Sequence, residues 1–387
     1  MLQPAADPQH PHAPPTIDQR RRALVTSTLL AGPLLACPRW ARAATDLLGE
    51  TASGAAEPGA LALGETASGA AEPGALAPID WDWVDTARQR PVPVRLYWPA
   101  QRGAPAAAAA VPLVVFSHGI GGSRLGYSYL GRHLAEQGWA SLHVQHVGSD
   151  RALWWGNPFG LVSRLKTAAR ESEAMDRVRD LRFALDRLLD PALQHAQIGR
   201  PAEHIDAQRI VAAGHSYGAN TTMLAVGARV TRQQHELDFH DPRFRGAILM
   251  SAPPFYGERD LASILAPVRL PTLHVTSNED VIQIPGYHSG PEDRLALYEA
   301  VPDPRKALVM FKRGSHSIFT DRTVAGGYEM NQQVKGATKA LAAAFLHQQF
   351  GPDKTALSTW RQNWAEIVAR SVGLGGSEGP PAVPLRA

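Results

Sequence analysis

A short apolar run at residues 209–213 leads through Gly214-His215-Ser216-Tyr217-Gly218 directly into a segment rich in Ala, Thr and Leu. A serine with glycines two before and two after it, between a strand and a helix, permits few folds. The turn is too sharp and the backbones pass too closely for side chains at the glycine positions, and strands that feed straight into helices build parallel sheets. The surrounding sequence repeats this alternation. Apolar runs at 92–98, 111–117, 140–145, 209–213, 246–251, 272–276 and 307–311 alternate with helical patterns at 127–137, 171–189, 217–226, 291–301 and 331–350. The expected fold class is therefore α/β, a mostly parallel central sheet with helices on both faces. In 171–189, Met175, Val178, Leu181, Leu185 and Leu188 recur every three or four residues. That spacing predicts a core-facing stripe and leaves Asp176, Arg179 and Asp180 on a solvated face.

The chemistry expected at such a turn is nucleophilic, with Ser216 as the attacking group. The helix after it turns free N–H groups toward the serine and favours negative charge developing there. Two backbone donors would hold the oxyanion of an acyl-transfer intermediate: Tyr217 N–H, and Ile120 N–H from the loop His118-Gly119-Ile120-Gly121-Gly122 after an earlier strand. His118 follows a buried strand and is expected to brace that loop. The remaining groups should come in the order acid, then histidine. The run 272–276 ends in Ser277-Asn278-Glu279-Asp280, which places carboxylates at the C-terminal end of a strand, where sites on parallel sheets lie. Asp280 is the expected acid and Glu279 its rival, since consecutive side chains cannot both point at one imidazole. His316, in Gly314-Ser315-His316-Ser317, is the expected base, whereas His274 lies within a strand and reads as core. His316 would take the proton from Ser216 and return it to the leaving group, with ionised Asp280 fixing its tautomer. Trp154, Trp155, Phe255 and Tyr256, in the long connections 147–170 and 252–270, are candidate substrate contacts.

Together these motifs identify the chain as a member of the α/β-hydrolase superfamily. Phe116-Ser117-His118-Gly119-Ile120-Gly121-Gly122-Ser123-Arg124, with Tyr127 and Tyr129, resembles the plasma-type platelet-activating factor acetylhydrolases and their bacterial relatives known as predicted dienelactone hydrolases. Gly138-Trp139-Ala140, the run from His143 to Asp150, and the serine turn extend the likeness over roughly residues 92–350. Two departures bear on the chemistry. The acetylhydrolases take their acid from the loop after the strand that follows the serine helix, and Leu249-Met250-Ser251-Ala252-Pro253 offers no carboxylate there. An acid at Asp280, with Gly314-Ser315-His316-Ser317, is similar instead to cutinase-like polyester hydrolases and to dienelactone hydrolases. The latter use a cysteine nucleophile, so Ser216 does not imply a dienelactone substrate. The resemblance implies a carboxylic-ester hydrolase for short-acyl or small lipid esters working through an acyl-enzyme. A polyester hydrolase and a non-catalytic binding protein on the same scaffold are the alternatives.

No metal or organic cofactor is expected: the histidines form no H-E-x-x-H pair, and acyl transfer of this kind needs none. A net charge of +3, partly from Arg20-Arg21-Arg22, suggests no nucleic-acid partner, so a small-molecule ester or lipid is the expected one. Those arginines, the apolar stretch 23–37 and Ala41-Arg42-Ala43-Ala44 read as an export signal over 1–44, too short for a stable transmembrane segment. The protein is thus expected to be periplasmic or secreted, with a twin-arginine route possible in form and lipidation at Cys37, the one cysteine, as a rival. Residues 48–62 recur unchanged at 63–77, small and polar enough to make 45–80 a flexible linker. The hydrolase domain is expected over 81–370 and a flexible tail over 371–387.

Overall fold

Near-continuous Val, Leu and Ile runs bury both faces of a strand, and here they form the middle of a nine-stranded sheet. The computed structural model describes residues 77–100, 110–192, 204–232, 235–284, 286–322 and 327–375. The expected export signal, nearly all of the linker and most of the tail lie outside them. The sheet contains β1 (Ile79–Asp85), β2 (Arg90–Tyr97), β3 (Ala110–Ser117), β4 (Ala140–Val144), β5 (His204–His215), β8 (Phe244–Met250), β9 (Thr272–Ser277), β12 (Ala307–Phe311) and β13 (Val368–Val372). Two hairpins, β6 (Arg229–Arg232) with β7 (His235–Asp238) and β10 (Ile282–Ile284) with β11 (Tyr287–Ser289), stand apart from it. The order β1-β2-β4-β3-β5-β8-β9-β12-β13 is parallel from β4 to β12, with antiparallel strands at both edges. This is the α/β-hydrolase arrangement.

The helices are α1 (Ser128–Glu136), α2 (Leu161–Ala168), α3 (Glu171–Leu189), α4 (Tyr217–Ala225), α5 (Leu261–Leu265), α6 (Pro291–Ala300), α7 (Gly327–Phe350) and α8 (Ala356–Asn363). One sheet face packs Leu130 and Leu134 of α1, Leu341 and Phe345 of α7, and Trp360 of α8. The other packs Leu181 and Leu185 of α3, Met223 of α4 and Leu297 of α6. Among the described residues no helix is long and apolar enough to cross a membrane.

The structure departs from the sequence reading in two places. The domain extends beyond both expected bounds, since β1 begins at Ile79 and β13 reaches Val372. Both are edge strands, alternately exposed in β1 and only partly buried along β13, and neither carries a continuous apolar run to mark it. The second departure is larger. Asp180 does not face water: it is wholly buried and holds Arg88 at 2.8 Å, Arg90 at 3.0 Å and His146 Nδ1 at 3.1 Å. Arg177, one turn earlier, is equally buried, whereas Met175, expected in the core, borders the main cavity. Partners on other strands and loops turn this part of the charged stripe inward, because a buried charge is tolerated when it is paired.

Candidate active site

β5 ends at His215, and Ser216 follows with φ 53° and ψ −123°, a conformation that a side-chain-bearing residue rarely adopts. Neighbouring backbone holds it there. Ser216 N–H donates to the Met250 carbonyl at 2.9 Å, and its own carbonyl accepts from Ala219 N–H at 2.8 Å. A Cβ on Gly218 would lie 2.0 Å from the Ser117 carbonyl oxygen, and one on Gly214 would lie 2.2 Å from that of Gly218. Both motif glycines are therefore required by close backbone approach, between β3 and α4 and within the turn itself.

The loop after β12 brings His316 to this turn. His316 Nε2 lies 2.7 Å from Ser216 Oγ, and His316 Nδ1 lies 2.7 Å from Asp280 Oδ1. Because a carboxylate only accepts, Nδ1 carries the proton and Nε2 is left to accept from the serine hydroxyl. Asp280 is fully buried just beyond β9 and also receives Thr276 Oγ1 at 2.7 Å and Arg294 at 3.2 and 3.3 Å. Burial alone would raise its carboxyl pKa. His316 and Arg294 outweigh that and hold it well below the usual carboxylate range, so Asp280 is ionised. Glu279 turns the other way: its half-exposed carboxylate accepts Gly314 N–H at 2.9 Å and pairs with Arg313, supporting the His316 loop from outside. Of the two carboxylates, Asp280 makes the contact with the imidazole.

A second relay, absent from the sequence reading, fixes the His316 backbone. Gly119 N–H donates to Tyr127 Oη at 3.3 Å, and the Tyr127 hydroxyl donates to His215 Nδ1 at 2.8 Å, because Nε2 of that neutral ring must carry the proton to meet a carbonyl. His215 Nε2–H then donates to the His316 carbonyl at 2.9 Å. Burial, with His316 nearby, pushes the His215 pKa down to about 3 and keeps this ring neutral. His215 stands in the motif next to the serine, but nothing in the sequence linked it to Tyr127. Arg294, one turn into α6, was equally unmarked.

Ile120 and Tyr217, the expected oxyanion donors, line one cavity with Ser216. Tyr217 opens α4, where a backbone N–H has no intrahelical acceptor. The Ile120 loop passes close to the serine, since a Cβ on Gly119 would lie 3.3 Å from Ser216 Cβ. His118 is buried, with Nδ1 bonded to the Gly119 carbonyl at 2.6 Å and Nε2 accepting His146 N–H at 3.0 Å. Burial, with Arg177 adding to it, drives its pKa far below the usual histidine range. It braces the loop as a neutral ring. His274 is likewise neutral, its pKa pushed down to about 3 by burial within β9.

The cavity holds about 480 Å³ and is walled mainly by apolar side chains. Phe255 and Tyr256 lie on it; Trp154 and Trp155 do not. Trp154 instead donates its indole N–H to the Gly121 carbonyl at 2.8 Å, and Trp155 is 65% exposed beneath Arg151. The short helical turn Arg151–Trp154 sends these neighbours in different directions, one to the loop and one to solvent. Part of the wall comes from Val230, Leu237 and Phe239 in and beside the β6–β7 hairpin, whose run Arg229 to Asp238 is too polar to advertise a wall. Among the described residues no group of three or more His, Cys, Asp or Glu is placed to hold a metal ion.

The model of the family "platelet-activating factor acetylhydrolase, isoform II" matches residues 86–155, the segment that carries β2, β3 and the Ile120 loop. The chain is 26% identical over 286 residues to a platelet-activating factor acetylhydrolase of Bos taurus, covering 63% of this chain and 58% of that protein. It is 25% identical to the Canis lupus familiaris protein of the same name, covering 56% and 49% respectively. The chain thus spans roughly half the length of these relatives. Among solved structures, a ferulic acid esterase from Streptomyces cinnamoneus superimposes with a TM-score of 0.45 at 21% identity, over 70% of this chain and 88% of that one. The resemblance to platelet-activating factor acetylhydrolases read over roughly residues 92–350 is thus found again in these comparisons.

Proposed function

We propose that this protein is a serine hydrolase of carboxylic esters, with Ser216, His316 and Asp280 as its catalytic groups. The observation that carries the reading is the position of His316, 2.7 Å from both the Ser216 hydroxyl and the Asp280 carboxylate. Ser216 Oγ attacks the acyl carbon as its proton passes to His316 Nε2, and the carbonyl oxygen becomes an oxyanion held by Ile120 and Tyr217 N–H. The imidazolium, balanced by Asp280, then protonates the departing alcohol oxygen and an acyl-enzyme remains. Water attacks that ester by the same route in reverse, giving its proton to His316 and restoring Ser216. The acetylhydrolase relatives and the apolar walls of the cavity favour short-acyl or small lipid esters over extended polymers.

A graded series of p-nitrophenyl esters, run beside an acetylated glycerophospholipid and a polyester film, tests this. Turnover should be greatest on soluble short and medium acyl esters or the phospholipid. It should fall by on the order of 10⁴-fold or more in Ser216→Ala. Near-wild-type turnover in that variant would remove the mechanism, and preference for the film would move the substrate to polyesters.

A further inference from the structure

The proton path from Asp280 to Ser216 makes no use of Arg177, yet this side chain is wholly buried beneath the site. Its guanidinium donates to Thr221 Oγ1 at 3.0 Å, to Ser149 Oγ at 2.7 Å, to Ser117 Oγ at 3.2 Å and, through a very short bond, to the His118 carbonyl. Its Cζ also lies 4.4 Å from the centroid of the Tyr217 ring. Thr221 Oγ1 in turn donates to the Tyr217 carbonyl at 3.0 Å. One rigid planar group therefore grips both the loop that carries Ile120 N–H and the first turn of α4 that carries Tyr217 N–H.

The chain invests in holding a charge here. Ser149 Oγ passes the contact on to Glu173 at 2.9 Å, and Ser117 Oγ sits 2.9 Å from His146 Nε2, whose Nδ1 meets Asp180. The fixed fork of a guanidinium supplies what an apolar filler of the same volume would not: directed bonds to two separate backbone segments.

We propose that Arg177 is a positioning residue that sets the separation and aim of the two oxyanion donors; this rests on the ester-hydrolase reading of the same site. It touches no reacting atom. Its effect should appear only where charge develops on the carbonyl oxygen, as a transition-state loss without loss of substrate binding.

The test compares wild type with Arg177→Lys, Arg177→Met and Ser149→Ala, the last removing one acceptor of the guanidinium while leaving it in place. Each is assayed for kcat, KM and affinity for an alkyl trifluoromethyl ketone, to whose carbonyl carbon Ser216 Oγ adds while its proton goes to His316 and the oxygen becomes the bound oxyanion. The proposal expects kcat to fall on the order of 10²-fold in the Arg177 variants and several-fold in Ser149→Ala. KM should stay near wild type, and ketone affinity should fall in step with kcat/KM. Lysine should recover little, because it cannot span the two segments. Folded variants that keep wild-type kcat and ketone affinity would overturn the proposal, as would a loss confined to KM. If neither Arg177 variant folds, unchanged kcat and ketone affinity in Ser149→Ala would overturn it alone. A wild-type protein that neither turns over esters nor binds the ketone would instead refute the hydrolase reading.

Discussion

Asp280 and Glu279 are adjacent carboxylates in the same loop, and their surroundings give them opposite tasks. Asp280 is buried against His316, Arg294 and Thr276, whereas Glu279 is half-exposed and bonded to the Gly314 backbone. The sequence placed a carboxylate at this strand end because ligand sites on parallel sheets gather there. It could rank the two but not orient them, since orientation depends on where β12 and the His316 loop come to rest. Asp280→Asn should lower kcat by on the order of 10⁴-fold, because an amide at that place favours the wrong imidazole tautomer. Glu279→Gln should lose far less, through looser support of the loop alone. Steady-state kinetics of the two variants decides the assignment: equal losses, or a larger loss for Glu279→Gln, would overturn it. The contacts of Arg294 and Tyr127 escaped the sequence reading for a related physical reason, as each meets its partner only after distant segments have packed together.

At the scale of elements, strands β3, β4, β9 and β12 were legible because burial on both faces selects unbroken apolar runs. The helix α3 was legible in extent and misread in exposure. Its apolar stripe gave the right bounds, but three- and four-residue periodicity cannot reveal that arginines from β2 and the turn before it come down on Asp180. The β6–β7 hairpin was missed because its outward residues are charged while Val230 and Leu237 turn to the cavity. Val230 and Leu237 line the pocket together with Ile120 and Leu165, and on the ester-hydrolase proposal the hairpin would take part in selecting the acyl chain. Leu237→Trp should shorten the preferred acyl chain by filling the far end, with kcat/KM for the shortest ester nearly unchanged. One methylene in an apolar pocket is worth roughly 10- to 200-fold, so the shift is measurable on the graded ester series. An unaltered chain-length profile would show that the hairpin does not face the bound acyl group.

For the molecule as a whole, the sheet brings together parts of the site that lie far apart in the chain. Ser216 follows β5, Asp280 follows β9 and His316 follows β12, all at the same end of parallel strands. That common edge could be read from the alternation of apolar runs and helices, while the expected order of serine, acid and histidine came from the chain order usual after such a serine turn. The layer of charge and histidine behind the edge was not, since Arg177 and Asp180 of α3 meet Arg88, Arg90 and His146 from distant segments and the five carry no shared motif. The central claim is that Ser216 becomes acylated. Its most direct test is to treat the protein with an alkyl fluorophosphonate, digest it and locate the adduct by mass spectrometry. One adduct per chain on Ser216, with ester turnover lost in proportion and no labelling of Ser216→Ala, is the result the account predicts. Full ester turnover in a protein whose Ser216 is completely modified, or an inactivating adduct on another residue, would contradict it.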